Sequence, residues 1–174
     1  MVGNRYIDMD LPWTPYESPL GRLTIVLAPG GALRAIHFPG GPAMAEADAQ
    51  EMPNVTAQLD QYFAGERQRF ELDVELDGTG FQTAVWERLR EIPYGSTVSY
   101  GEIAEGLGEA AFPAGLEPHE RARAVGAVVG RTPVPIVIPC HRVIGADGSL
   151  TGYGGGLERK RALLELESSQ LALI

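Results

Sequence analysis

The hydrophobic pattern changes character at Gly78-Thr79-Gly80, and this change constrains the fold more than any other feature of the chain. Before it, apolar runs at residues 23–27 and 33–38 are cut off by Ser18-Pro19-Leu20-Gly21, Pro29-Gly30-Gly31 and Pro39-Gly40-Gly41-Pro42. Such runs read as strands joined by turns. Residues 55–63 have helical spacing, with Leu59, Tyr62 and Phe63 on one side, and residues 71–77 alternate acidic and apolar side chains like a half-exposed strand. After the glycines the period becomes helical. The expectation is a small α/β unit over residues 1–78 and a mainly α unit over residues 79–174. A chain of 174 residues is long enough to give each a core.

Phe81, Val85 and Leu89 recur every fourth residue beside Trp86, which predicts a helix up to Ile92, stopped by Pro93-Tyr94-Gly95. Ser99 with Glu102 three residues on has the form of a capping box, and it opens a short helix through Ile103 and Leu107. Residues 108–119 are rich in Gly, Ala and Pro and read as a loop, and a second helix covers residues 120–129. At about 100° per residue, Val125, Val128 and Val129 share one face of that helix while Arg123, Gly126 and Ala127 share the opposite one. The small outward face suits close approach to a groove, or equally packing against a neighbouring helix. Two short helices in this order resemble a helix-turn-helix.

Residues 135–143 read Pro-Ile-Val-Ile-Pro-Cys-His-Arg-Val, and Cys140 is the only cysteine. A β-branched run delivers the thiol to a proline, with His141 and Arg142 directly behind it. Cationic neighbours lower a thiol pKa from about 8.5 and so favour the reactive thiolate. Cys140 is therefore a candidate nucleophile, the alternative being a buried structural thiol. On extended backbone His141 points to the other face, so it would act through a turn or a bridging water. Arg142 could meet a phosphate or form a structural ion pair. The last helix, residues 157–167, places Leu157, Leu163 and Leu164 on an apolar face that also includes Glu167. A carboxylate there needs a partner. His141 and Lys160 are the two candidates. Gly152-Tyr153-Gly154-Gly155-Gly156 lacks the Lys-Ser/Thr ending of a phosphate loop and reads better as a wall against a flat ligand, with Tyr153 to stack on it. One cysteine and three scattered histidines offer no metal site.

Charge is uneven. The whole chain carries −9, and residues 1–78 hold twelve acids against five arginines. Residues 121–161 hold seven cations (Arg121, Arg123, Arg131, Arg142, Arg159, Lys160 and Arg161) against Asp147 and Glu158. That basic segment is compatible with a phosphate-binding face on an acidic protein. A free thiol, no basic-then-apolar N-terminal pattern and no apolar run of about 20 residues lead us to expect a cytoplasmic protein with no membrane span.

Taken together, these segments resemble the O6-alkylguanine-DNA alkyltransferases. Residues 135–143 are similar to that family's active-site signature, and residues 153–157 to the loop that follows it. Phe81-Gln82, Val85-Trp86, residues 92–95 and 98–101, and Arg123-Ala124-Val125-Gly126 match as well. The likeness is strong over residues 79–167 and weaker over residues 1–78. It implies an α/β N-terminal domain resembling ribonuclease H and a mainly α C-terminal domain with a winged helix-turn-helix.

The implied activity is direct-reversal DNA repair. An alkyl group passes irreversibly from O6 of guanine in duplex DNA, less well from O4-alkylthymine, to Cys140, once per molecule, in a monomer and with no cofactor. The resemblance makes Cys140 the acceptor, His141 the base acting through water, and Glu167 the residue orienting His141. Tyr100 would hydrogen-bond the leaving guanine. Arg123, with Ala124, Gly126 and Ala127, would face the minor groove, with Arg142 near the phosphates. Val143, Tyr153, Gly154 and Gly155 would line the base pocket, and backbone carbonyls near Cys140 and Val143 would read the guanine amino group. The base must leave the stack because a thiol cannot reach O6 in line within the duplex.

Thr132 stands where the family usually carries asparagine, Gly154 where some members carry serine, and the 108–119 loop is longer than usual. These departures bear on rate and substrate range. The alternative function is a non-catalytic sensor of alkylated DNA that recruits other repair proteins, although such relatives typically replace the cysteine.

Overall fold

The computed structural model describes residues 11–45 and 48–172, and the chain divides into two compact units between Leu76 and Asp77. In the first, strands β1 (Trp13–Ser18), β2 (Gly21–Leu27) and β3 (Leu33–His37) form an antiparallel meander in that order. The β1–β2 turn is held by Ser18, whose hydroxyl donates to the Gly21 carbonyl (2.6 Å) and accepts from the Leu20 N–H (3.1 Å). Gly21 takes φ 101 there, where a Cβ would be strained. Trp13, Val26 and Ala35 lie in register on one face, joined by Leu11 and Met44. The other face carries Tyr16, Leu23, Ile25 and Ile36. Helix α1 (Pro53–Phe63) meets that face through Tyr16, which donates to Asp60 at 2.7 Å and stacks on Phe63.

The strand expected over residues 71–77 is reduced to one bridge, Val74 beside Leu33. Leu33 donates to Asp73 and accepts from Glu75. A second clamp comes from buried Gln58, whose side-chain amide exchanges two hydrogen bonds with the backbone of Glu71. That exchange takes up the backbone donor and acceptor which a longer ladder would have used.

In the second unit, Thr79 caps helix α2 (Gly80–Arg90) through a reciprocal capping box with Gln82. Ser99 and Glu102 do the same for α3 (Tyr100–Leu107), as their spacing predicts. Helix α4 (Pro118–Val129) starts two residues before the expected point because Pro118 supplies a preset φ at the first turn. The connection between α3 and α4 is not all irregular, since residues Glu109–Ala111 form a 3-10 turn. Helices α2, α3 and α4 pack on one another around Val85, Leu89, Ile103, Val125, Val128 and Val129. Short strands β4 (Val98–Ser99) and β5 (Val143–Ile144) pair in parallel, and α5 (Leu157–Leu171) packs on the turn that holds the cysteine.

Two expectations are corrected here. The backbone around Cys140 is not the extended segment expected. Pro135 and Pro139 have no N–H to give a ladder, and the chain instead turns so that the Ile138 N–H reaches the Val134 carbonyl at 2.9 Å. Ile136 sits at φ 75 inside this turn, fully buried. A β-branched residue in that region costs about 1–3 kcal/mol and persists only because the surrounding core fixes it. The apolar face assigned to the last helix is also shifted. Leu157 is 45% exposed, and the buried stripe of α5 is Lys160, Leu163 and Glu167. Leu157 is the first residue of the helix, before the turn that packs inward.

Candidate active site

Cys140, His141 and Arg142 form a 3-10 turn, not an extended segment, and all three are buried. The turn brings the adjacent side chains of His141 and Arg142 to one centre instead of sending them to opposite faces. That centre is Glu167, reached from α5. His141 Nε2 lies 2.7 Å from Glu167 Oε1. Arg142 donates from Nε to Oε2 and from Nη2 to Oε1, both at 2.9 Å, and from Nη1 to the Ile92 carbonyl at 2.7 Å. The Gly95 N–H adds a fourth donor to Glu167 at 3.0 Å. Burial alone would raise the Glu167 carboxyl, but His141 and Arg142 outweigh it and hold it down at about 2.

An ionised carboxylate only accepts, so His141 Nε2 carries the hydrogen of that bond. Burial keeps the imidazole pKa below its ordinary value and the ring neutral. Nδ1 is therefore the basic nitrogen, and it is buried without a hydrogen-bond partner among the described residues. The competing partner for Glu167 is elsewhere. Lys160, fully buried, donates to the carbonyls of Val143 (2.5 Å) and Thr151 (2.7 Å) and approaches the Tyr100 hydroxyl at 3.5 Å.

Arg142 is placed differently from the expected phosphate contact. It is 6% exposed with its guanidinium committed to Glu167 and Ile92, and its charge faces inward. The same burial reverses the expectation for the thiol. Cys140 is 2% exposed, and desolvation pushes its pKa up to about 11. The Thr132 side chain, Lys160 and the N–H groups of Cys140 and His141 oppose that rise without cancelling it. His141 is neutral and Arg142 is neutralised by Glu167, so neither expected cation serves the sulfur. The sequence showed Lys160 only as a rival for Glu167 and Thr132 only as a departure.

Tyr100 is tied to the segment that leads into the assigned base pocket. Its hydroxyl donates to the Thr151 carbonyl at 2.8 Å, and so to the wall that runs on to Tyr153, Gly154 and Gly155. A Cβ on Gly126 would lie 3.6 Å from the Tyr100 ring, so Gly126 is half-buried under that ring. The outward face of α4 is thus Arg123 and Ala127, both exposed, with Ala124 half-buried. Gly154 backs onto α4, since a Cβ there would stand 3.0 Å from the Gly130 carbonyl. A serine at this position would push on backbone. Val143 is fully buried, and its carbonyl already accepts from Lys160, which leaves one lone pair for a ligand. Among the described residues no set of three His, Cys, Asp or Glu could hold a metal, and no helix is long and apolar enough to cross a membrane.

Comparison with known proteins places this geometry. Residues 80–169 match the model of the 6-O-methylguanine DNA methyltransferase DNA binding domain, and residues 11–76 match that family's ribonuclease-like domain. The chain is 46% identical over 160 residues to a methylated-DNA–protein-cysteine methyltransferase of Mycobacterium tuberculosis, covering 88% of this chain and 90% of that one. A namesake from Methanosarcina acetivorans is 41% identical, with 88% and 96% covered. A crystal structure of the Mycobacterium tuberculosis OGT in complex with DNA superposes with a TM-score of 0.77 at 43% identity, covering 92% of this chain and 94% of that one. The O6-methylguanine-DNA methyltransferase of Pyrococcus kodakaraensis gives 0.64 at 27%, with 90% and 98% covered. The chain pairs a ribonuclease-like unit with a winged helix-turn-helix unit, and it belongs to the 6-O-methylguanine DNA methyltransferase family.

Proposed function

We propose that this protein repairs alkylated DNA by direct reversal, moving the alkyl group from O6 of guanine in a duplex to Sγ of Cys140. The observation that carries the reading is the relay behind the sulfur. Glu167 fixes the His141 tautomer, and the unbonded Nδ1 is left as the acceptor beside the only cysteine. With the thiol pKa near 11, the sulfur holds its proton at rest. Nδ1 takes that proton through one bridging water as sulfur attacks the alkyl carbon. The S–C bond forms, the O6–C bond breaks, and guanine leaves with the electron pair. The Tyr100 hydroxyl, turning from the Thr151 carbonyl, donates to the leaving base. A thioether cannot be returned to a thiol here, so each molecule acts once.

Arg123 and Ala127 on the exposed face of α4 enter the minor groove, with Arg123 filling the space that the extruded nucleotide leaves. The protein works as a monomer in the cytoplasm without a cofactor, with residues 1–78 and 79–174 as its domains, and takes O4-alkylthymine less well. The deciding experiment is intact-mass analysis after incubation with an O6-methylguanine duplex. One methyl group on Cys140 is expected. A folded preparation that binds the duplex and gains no adduct would leave only the sensor function.

A further inference from the structure

The turn Pro93-Tyr94-Gly95 is closed by the Ser96 N–H on the Pro93 carbonyl at 3.1 Å, and it wraps the ion pair behind the cysteine. Just before it, the Ile92 carbonyl accepts from Arg142 Nη1 at 2.7 Å. Within it, the Gly95 N–H donates to Glu167 Oε2 at 3.0 Å. Between these two contacts the Tyr94 ring lies against the Arg142 guanidinium, with 5.4 Å from ring centroid to Cζ.

A guanidinium is planar, and the hydrogen bonds of Arg142 to Glu167 and Ile92 all leave through its edges. Its faces remain for other contacts, and the Tyr94 ring takes one of them. Arg142 and Glu167 are buried while Tyr94 is half-buried, so the ring stands on the solvent side of the pair. Two features of α5 pin it there. The phenol donates to Gln170 Oε1, one turn beyond Glu167, and burial raises its pKa and keeps it a donor. Gly95 takes φ 71, and a Cβ there would overlap Leu171, so a side chain would drive the end of α5 off the turn.

We propose that Tyr94 is a positioning residue whose ring shuts water out of the Arg142–Glu167 pair and so keeps Glu167 aligned on His141 Nε2. Its purpose rests on the acceptor role of Cys140 proposed above, but the alignment exists in the protein without substrate. Charge-assisted bonds weaken as the local dielectric rises. Water beside the guanidinium would compete for its N–H groups and let the carboxylate turn. A carboxylate out of line no longer compels the His141 hydrogen onto Nε2. A ring with its hydrogen on Nδ1 cannot take the sulfur proton there. Tyr94 thus acts through Arg142, Glu167 and His141 in turn.

The test reads the His141 tautomer directly, by heteronuclear NMR of the imidazole nitrogens in the full chain near neutral pH. The chain has three histidines, and His141→Gln identifies the signal. Wild type is expected to show one form, with the hydrogen on Nε2. Tyr94→Ala is expected to add the Nδ1–H form and to slow single-turnover methyl transfer from an O6-methylguanine duplex by about tenfold or more. Tyr94→Phe keeps the ring and loses only the bond to Gln170. It should keep the single form and a rate within about threefold of wild type. A Tyr94→Ala protein with the wild-type tautomer would overturn the role, as would a Tyr94→Phe protein as disturbed as Tyr94→Ala. Should Tyr94→Ala not fold, Tyr94→Leu against Tyr94→Phe reads the same contrast. An unmoved tautomer in Tyr94→Ala, beside a wild type that transfers, sinks the Tyr94 role alone. A mixed tautomer in Tyr94→Ala, beside a wild type that never transfers, sinks the acceptor role of Cys140 alone.

Discussion

Arg142 and Glu167 form a two-pronged buried ion pair, with both guanidinium-to-carboxylate distances at 2.9 Å. The pair does more than neutralise. Arg142 also reaches the Ile92 carbonyl, and Glu167 also holds the Gly95 N–H, so the end of α2, the turn before β4 and α5 meet at one carboxylate. His141 occupies the remaining acceptor site of that carboxylate and inherits its rigidity. The fixed geometry of the relay is thus a by-product of how the unit is held together.

Removing the cation should therefore cost stability rather than DNA affinity. Arg142→Leu leaves the Glu167 charge buried and under-paired, which costs about 3–5 kcal/mol. Urea unfolding should show that loss. Duplex binding by the folded fraction should keep its wild-type salt dependence, since a phosphate contact would lower the slope by about one. A stable Arg142→Leu protein with a reduced slope would restore the phosphate contact that the structure denies.

Glu167→Gln separates orientation from charge. The glutamine oxygen can still accept from His141 Nε2, but its NH2 then faces Arg142 and the Gly95 N–H, donor against donor. Turning the amide to please Arg142 offers a donor to Nε2 and puts the proton on Nδ1. Either arrangement degrades the base. Single-turnover methyl transfer is expected to slow by about a hundredfold or more, as when an orienting carboxylate behind a catalytic histidine is neutralised. A rate within about threefold of wild type would remove Glu167 from the relay.

The same network sets an acid limb in stability. His141 is held below its ordinary pKa of 6.5, so the unfolded chain binds a proton that the native ring refuses. Stability contributed this way is full above 6.5 and declines as the pH falls below it. Glu167 is held at about 2 against 4.5 when unpaired, so its share is present above 4.5 and lost as pH falls toward 2. Urea midpoints should fall in two stages as acid is added. In Glu167→Gln the lower stage should flatten while the upper one persists. An unchanged lower stage would mean that other carboxylates cause it.

How much of this could be read in advance depended on how local each cause is. The capping boxes at Thr79 and Ser99 follow from side chains reaching their own helix, and Ser99 was visible as spacing alone. Glu167 was legible because a carboxylate on an inward helix position demands a partner. The choice between His141 and Lys160 was not, since it turns on where residues 143 and 151 place their carbonyls. The run before Cys140 misled because β-branched composition suggests extended backbone, whereas the prolines at 135 and 139 withhold the donors that would hold such a segment in a ladder. The thiol pKa was misjudged for a related reason. Sequence proximity counts the charges beside Cys140, but only the fold shows that one is spent on Glu167, another is neutral, and the sulfur is dry.

The exposed face of α4 gives the last expected outcome. Arg123 is exposed, with Ala127 beside it, while Gly126 lies under Tyr100. If Arg123 fills the gap of an extruded nucleotide, its loss should matter only when a stack has to be broken. That step costs a few kcal/mol in duplex and nothing for a free base. Arg123→Ala is expected to slow methyl transfer from an O6-methylguanine duplex by at least about tenfold, with transfer from free O6-benzylguanine within about twofold of wild type. Gly126→Ala serves as the internal control, because its Cβ would meet the Tyr100 ring at an ordinary 3.6 Å. It should leave both rates nearly unchanged. Equal losses on duplex and free base in Arg123→Ala would show that the side chain supports the pocket and not the gap.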